Sequence, residues 1–104
     1  MKKVFVAVAG SVLLFGASLS MAGGDAAAGK ATAAKACAGC HDGAGAGMSA
    51  NPVWPNLASQ KEAYLAKQLK AFRDGTRNDP TMSLMAKPLS DADIDNLAAH
   101  YSGL

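Results

Sequence analysis

The sequence predicts an all-α fold in one small domain. With 104 residues, the chain is long enough for a single domain at most. Apolar residues recur at helical spacing in two segments of its second half, and no segment alternates apolar and polar residues as a half-buried strand does. Alanine makes up 19 of the 37 apolar residues in 23–104, which favours helix but leaves few large side chains for a core.

The beginning of the chain, residues 1–22, is typical of a secretory signal peptide. Two early lysines precede an apolar run, and Ser20-Met21-Ala22 supplies the small residues of a cleavage site. The run is short for a membrane span, so we expect cleavage after Ala22, a periplasmic location and no stable membrane insertion. The mature domain, 23–104, carries eight basic and eight acidic residues. This balance gives no support to nucleic-acid binding.

The first helix is expected over residues 25–36, where alanine dominates. Gly29 falls inside it, and a glycine in a helix costs about 1 kcal/mol relative to alanine. We therefore expect Gly29 to allow another backbone to approach closely. Residues 42–55 are rich in glycine and proline, which predicts a loop.

A second helix is expected from a capping box formed by Ser59 and Glu62. Its apolar face repeats at positions three and four residues apart: Leu65, Leu69 and Phe72. Gly75 is expected to end it. The following residues, 76–88, contain two prolines and are expected to be irregular.

The last helix is expected to begin at Ser90, because three aspartates in or near its first turn complement the helix dipole. One face carries its apolar residues: Ile94, Leu97, Ala98 and Tyr101. Gly103 is expected to close it.

The chemistry of the sequence concentrates at Cys-Ala-Gly-Cys-His, residues 37–41. Cys37 and Cys40 are the only cysteines, and this spacing followed by histidine is the attachment signature of c-type haem. Thiols two residues apart in a helical turn can form thioethers with the two vinyl groups of one porphyrin, which directs His41 at the iron. One covalently bound haem c would also fill an interior that small side chains leave short.

Three other sites compete for the same motif. A disulfide between Cys37 and Cys40 would close a very short loop and stabilise little, although a haem-free structural protein held this way is an alternative. A thioredoxin-like pair needs a βαβ setting that the pattern lacks. Zinc needs four ligands, and beyond Cys37, Cys40 and His41 the only further histidine or cysteine in 23–104 is His100. We interpret His100 as a partly exposed residue near a helix C-terminus, where a positive ring is favourable.

Function depends on the sixth coordination position of the iron. A histidine and a methionine thioether leave no vacancy for oxygen or peroxide, which is typical of an electron carrier. The candidate methionines are Met48, Met82 and Met85. Met48 follows His41 by only seven residues and is interpreted as an ordinary loop residue. If no methionine coordinates, the alternative is a haem enzyme or gas-binding sensor with an open sixth position.

Taken together, these features resemble a class I cytochrome c, specifically a small periplasmic bacterial monohaem form. The likeness covers essentially the whole mature chain. Besides the haem motif it rests on five stretches: Pro55-Asn56-Leu57, Tyr64-Leu65, Gln68-Leu69, Met82-Ser83-Leu84-Met85 and Leu89-Ser90-Asp91.

The resemblance implies a cytochrome c fold of three to four helices wrapped around the haem. It places the ligand methionine eight residues before the serine that opens the last helix, which selects Met82 over Met85. It also implies that the carbonyl of Pro55, with Pro52 in reserve, accepts the ring N–H of His41 and strengthens it as a donor.

Two further contacts are expected, the first of them from the same resemblance. Gly29 would meet Leu97 where the first and last helices cross, although His100 stands where family members usually carry an aromatic residue. Trp54 is expected either to line the haem pocket or to pack beside Pro55. The implied function is that of a soluble, monomeric, non-enzymatic carrier, which passes single electrons between periplasmic or membrane redox partners by outer-sphere transfer.

Overall fold

The computed structural model describes residues 23–104, and the predicted signal peptide lies outside the described residues. Five helices follow one another in this part of the chain: α1 (Ala26–Ala36), α2 (Ala38–His41), α3 (Glu62–Asp74), α4 (Pro80–Ala86) and α5 (Asp91–Ser102). Between 23 and 104 there is no strand, and the β pairing found there is one isolated bridge between Gly45 and Met48. The all-α prediction is confirmed, and this part of the chain forms five helices where three to four were expected, because α2 and α4 are short additional helices.

The last helix approaches the beginning of the described chain at two glycines, Gly24 just before α1 and Gly29 inside it. A Cβ atom on Gly29 would lie 1.9 Å from the carbonyl oxygen of Asn96, and one on Gly24 would lie 2.0 Å from that of Asp95. No side chain fits at these distances, so both glycines let α5 contact the backbone of the N-terminal segment directly. The close approach expected at Gly29 is found, with Asn96, the neighbour of Leu97, as the nearest residue.

We predict that Gly29→Ala lowers the free energy of unfolding by about 2 to 3 kcal/mol, because the added methyl group meets backbone that cannot rotate away. This loss would appear despite the gain of about 1 kcal/mol in helix propensity. Thermal or denaturant unfolding of the haem-loaded protein measures it. Gly103→Ala is the matched control, since its Cβ would lie 3.5 Å from its nearest neighbour. Equal stability of the two variants would contradict the close contact.

The buried apolar core is small and lies mainly on α5. Its members are Ala33, Leu65, Ala86, Ile94, Leu97, Ala98 and Tyr101. The apolar face predicted for the last helix is therefore confirmed in full. On α3 all three residues of the predicted face line a cavity, and of these Leu65 is buried while Leu69 and Phe72 are half-buried.

The capping box predicted at Ser59 is wrong, because α3 begins at Glu62 with Lys61 as its N-cap residue. Ser59 has a φ of 64°, and its N–H donates to the carbonyl of Tyr101 at 3.0 Å. Its hydroxyl donates to the carbonyl of the last residue. The Glu62 carboxylate instead accepts the N–H of Gly24 at 3.3 Å. Both members of the expected box thus bind the two ends of the domain.

The irregular segment predicted for residues 76–88 is also wrong, since it contains α4. The carboxylate of Asp79 accepts the backbone N–H groups of Thr81 at 3.0 Å and Met82 at 2.8 Å. Pro80 occupies the first helical turn, where its missing N–H costs nothing. A proline directly after a capping aspartate therefore begins this helix.

The remaining helix ends follow the sequence. Ser90 and Asp93 form a reciprocal capping box, each side chain accepting the other's backbone N–H at 3.0 Å. Gly75 ends α3 in the left-handed region with a φ of 91°, and Gly103 follows α5. In the last turn of α3, Arg73 donates to Asp91 at 2.7 Å, and this contact joins the end of α3 to the start of α5.

Candidate haem site

A cavity of about 510 Å³ lies among the loop after α2, helix α3 and the start of α4. Its volume is within the range of roughly 300–1,000 Å³ that is usual for cofactor pockets. The residues selected from the sequence meet here, and the cavity is lined by Cys37, Cys40, His41, Trp54, Pro55 and Met82 among others.

His41 is held in a single ring orientation. It is the last residue of the one-turn helix α2, its backbone N–H donates to Cys37, and the residue is 5% exposed. The ring nitrogen Nδ1 lies 2.9 Å from the carbonyl oxygen of Pro55. A carbonyl can only accept, so Nδ1 carries the proton and Nε2 keeps its lone pair for a metal. The donated hydrogen bond increases the donor strength of that lone pair.

The two cysteines lie within one helical turn, Cys37 just before α2 and Cys40 inside it. Both are free thiols and both line the cavity. Burial raises the pKa of the Cys37 thiol to about 11. Because both thiols are free, the structure gives no support to a disulfide between Cys37 and Cys40. In residues 23–104, no three His, Cys, Asp or Glu side chains are grouped so as to hold a metal ion, which gives the zinc alternative no support.

The three candidate methionines occupy different places. Met82 lies in the first turn of α4 and lines both the main cavity and a smaller pocket beside it, each of which His41 also lines. Met85 lines only the smaller pocket and is 40% exposed. Met48 lines neither and is 43% exposed. The geometry favours Met82, whose role as iron ligand stays a prediction.

His100 and Trp54 lie in different places relative to the cavity. His100 does not line the cavity, and its ring packs 4.7 Å from that of Tyr101. Trp54 does line the cavity and is 43% exposed. The tyrosine hydroxyl donates to Asp42 at 3.4 Å, and burial raises the pKa of Tyr101.

This donor set fits a covalently attached haem. Two thiols in one turn, an imidazole with Nε2 available and a thioether all face one cavity, and most of its remaining lining is apolar. Thiols supply thioether attachment, while imidazole and thioether are axial ligands of cytochrome c iron.

Comparison with known proteins decides the family. The model of the cytochrome c family matches residues 26–102. The chain belongs to the cytochrome c family. One covalently bound haem c is therefore its cofactor, with Cys37 and Cys40 in the attachment spacing, and the cytochrome c fold and cofactor predictions are confirmed.

Three relatives of this cytochrome c domain differ in length. It is 51% identical over 73 residues to the thiosulfate dehydrogenase electron acceptor of Thiomonas intermedia, covering 68% of this chain and 32% of that protein. It is 45% identical over 82 residues to cytochrome c-554(548) of Halomonas halodenitrificans, covering 76% of this chain and 95% of that protein. A solved cytochrome c4 of Acidithiobacillus ferrooxidans matches with a TM-score of 0.65 at 30% identity, covering 82% of this chain and 54% of that one.

This cytochrome c domain therefore spans about a third of one relative and about half of another. Sequence reasoning missed three residues: Asp79 lines the haem cavity, Asp42 follows His41, and Gly24 lies against α5. Asp79 caps the helix that presents Met82, which the Asp-Pro pair could have indicated. Asp42 and Gly24 make contacts with residues far along the chain, and no local pattern reveals these.

Proposed function

We propose that the chain is a soluble class I monohaem cytochrome c that carries single electrons, with His41 and Met82 as the iron ligands. The observation that carries this proposal is that both residues line one cavity and that Pro55 fixes the tautomer of His41. When bound, haem supplies a one-electron couple between ferric and ferrous iron.

The protein's part in this function is to hold both ligands still. His41 is buried and hydrogen-bonded to Pro55 at 2.9 Å. Met82 belongs to a helix whose first turn is fixed by Asp79, with its own N–H donated at 2.8 Å. With both ligands supplied by the chain, no position is left for a substrate. This supports transfer of electrons without chemistry on a bound molecule.

A partner would approach where the chain covers the cavity least. Val53 and Trp54 line the cavity and are 81% and 43% exposed. Redox encounters use small and weak interfaces, so short exposed segments suffice. We propose redox proteins as partners, and the name of the Thiomonas relative suggests a dehydrogenase that oxidises thiosulfate as the first donor to test.

The processing and location follow from the sequence. We propose that residues 1–22 are removed as a signal peptide, and that the cytochrome c domain, 23–104, acts in the periplasm as a monomer. Across 23–104, every helix is too short or too polar to cross a membrane. Mass spectrometry of protein from the periplasmic fraction tests the processing, because cleavage after Ala22 leaves a mass of residues 23–104 plus one haem.

Optical spectroscopy of the purified protein tests the function. In the ferric state we expect a weak absorption band at the red end of the visible spectrum (the near-red band), which arises from sulfur bound to iron. In the ferrous state we expect the spectrum to stay unchanged when carbon monoxide is added. We also expect voltammetry to show one reversible one-electron wave. Binding of carbon monoxide by the native protein would overturn the proposal in favour of a haem enzyme or gas sensor with an open sixth position.

A further inference from the structure

The carboxylate of Asp42 joins two distant parts of the chain directly beside the axial histidine. Asp42 follows His41 in sequence and is half-buried. Its Oδ1 accepts the backbone N–H of Gly47 at 2.7 Å, and its Oδ2 accepts the hydroxyl of Tyr101 at 3.4 Å. One side chain therefore ties the end of α2 to the following loop and to α5.

Gly47 connects the Asp42 carboxylate to the residues that follow Pro55. Its φ is 73°, and a Cβ there would lie 2.8 to 3.0 Å from Ala58, so glycine is required. The Gly47 carbonyl accepts the N–H groups of Leu57 at 2.8 Å and Ala58 at 3.0 Å. Asp42 thus anchors Gly47, and Gly47 in turn anchors residues 57 and 58. Pro55, whose carbonyl contacts the His41 ring, lies in the loop between these two points.

The same carboxylate lies close to the haem attachment point. Tyr101 is 2% exposed, and its hydroxyl donates to Asp42. Asp42 is the C-cap residue of α2, the one-turn helix that carries Cys40 and His41. Because Asp42 is half-buried, water screens its charge less than it screens the charge of an exposed carboxylate.

We propose that Asp42 is a positioning residue for His41 and that its carboxylate lowers the reduction potential of the haem iron, an inference that rests on the proposed His41/Met82 electron carrier. Two effects act in the same direction. The negative charge favours the ferric over the ferrous iron by Coulomb's law. The anchored loop keeps the Pro55 carbonyl on the His41 ring, which makes the imidazole a stronger donor and again favours the ferric state.

The test compares two substitutions at position 42 by potentiometric titration of the haem-loaded protein. Asp42→Asn keeps an oxygen for the Gly47 N–H but removes the charge, so we expect the ferrous-to-ferric ratio at a fixed solution potential to rise roughly three- to tenfold. A tenfold rise equals a shift of 59 mV for a one-electron couple. Asp42→Ala removes charge and anchor together, and we expect a further rise and a lower unfolding temperature.

Asp95→Asn is the matched control, since it changes the net charge equally at a side chain that is 48% exposed and 3.9 Å from Lys70. We expect its potential to equal that of the native protein. A potential for Asp42→Asn that matches this control would overturn the inference. The proposed function fails separately, if the native protein itself shows no reversible one-electron wave.

A double-mutant cycle with Tyr101→Phe shows whether the carboxylate acts through its hydrogen bond. Removing the hydroxyl takes away a dipole that partly offsets the charge of Asp42, so we expect a more negative potential in the native background. In the Asp42→Asn background the same change is expected to have less effect. Equal effects in both backgrounds would show that the hydroxyl and the carboxylate are independent and would contradict their coupling.

Discussion

Replacing Met82 with alanine is expected to lower the reduction potential by on the order of 100 mV or more, because the thioether is the ligand that raises the potential of histidine-ligated haem. The substitution also removes the side chain proposed to fill the sixth coordination position from the cavity that His41 lines. We therefore expect loss of the near-red ferric band and binding of carbon monoxide by the ferrous protein. Spectroscopy and potentiometric titration measure both effects.

Met85→Ala is the matched control for this prediction. Met85 lies one turn later on the same helix, and its side chain reaches only the small pocket beside the cavity. We expect the band, the potential and the indifference to carbon monoxide to be retained. If Met85→Ala loses the band while Met82→Ala keeps it, the ligand is Met85. If neither substitution changes the spectrum, methionine ligation itself is wrong.

Local sequence was sufficient for the features that depend on a few neighbouring residues. The attachment spacing of Cys37 and Cys40 is fixed by a single helical turn, and the last helix follows from its cap at Ser90 and its apolar repeat. Both are short-range effects, which a sequence pattern records directly. They were enough to predict the all-α fold and the cofactor.

The errors arise where distant parts of the chain compete for the same groups. Ser59 has the residue type and spacing of a helix cap, yet its N–H and hydroxyl bind the C-terminal end of the domain. Glu62 binds Gly24 instead of completing the box. The unexpected helix at Pro80 is different, because its signal is local: an aspartate followed by proline is a favourable start and was interpreted as a break.

The site shows the same division. His41 follows from the motif alone, whereas the preference for Met82 over Met85 came only from the family resemblance, and the folded chain adds that Met82 lines the main cavity and Met85 does not. The contact of Asp42 with Tyr101 joins residues 59 positions apart. No periodicity or motif records such a pair, so its contribution to the site becomes visible only in the folded chain.

Replacing both Cys37 and Cys40 with alanine is expected to leave residues 23–104 largely unfolded. Three of the seven buried apolar residues are alanines, and a domain of this size has little core to begin with. An empty cavity of about 510 Å³, if it stayed open and dry, would cost on the order of 10 kcal/mol. That is comparable with the entire stability of a small domain. Far-ultraviolet circular dichroism and thermal unfolding measure the outcome.

The single substitutions Cys37→Ala and Cys40→Ala are the controls, because each leaves one thioether to hold the haem in place. We expect both to fold with haem bound and to unfold at a lower temperature than the native protein. A double variant that stays helical and unfolds cooperatively without haem would show that the alanine-rich helices form a sufficient core on their own. In that case the close packing of α1 on α5 at Gly29, rather than the cofactor, would be the main source of stability.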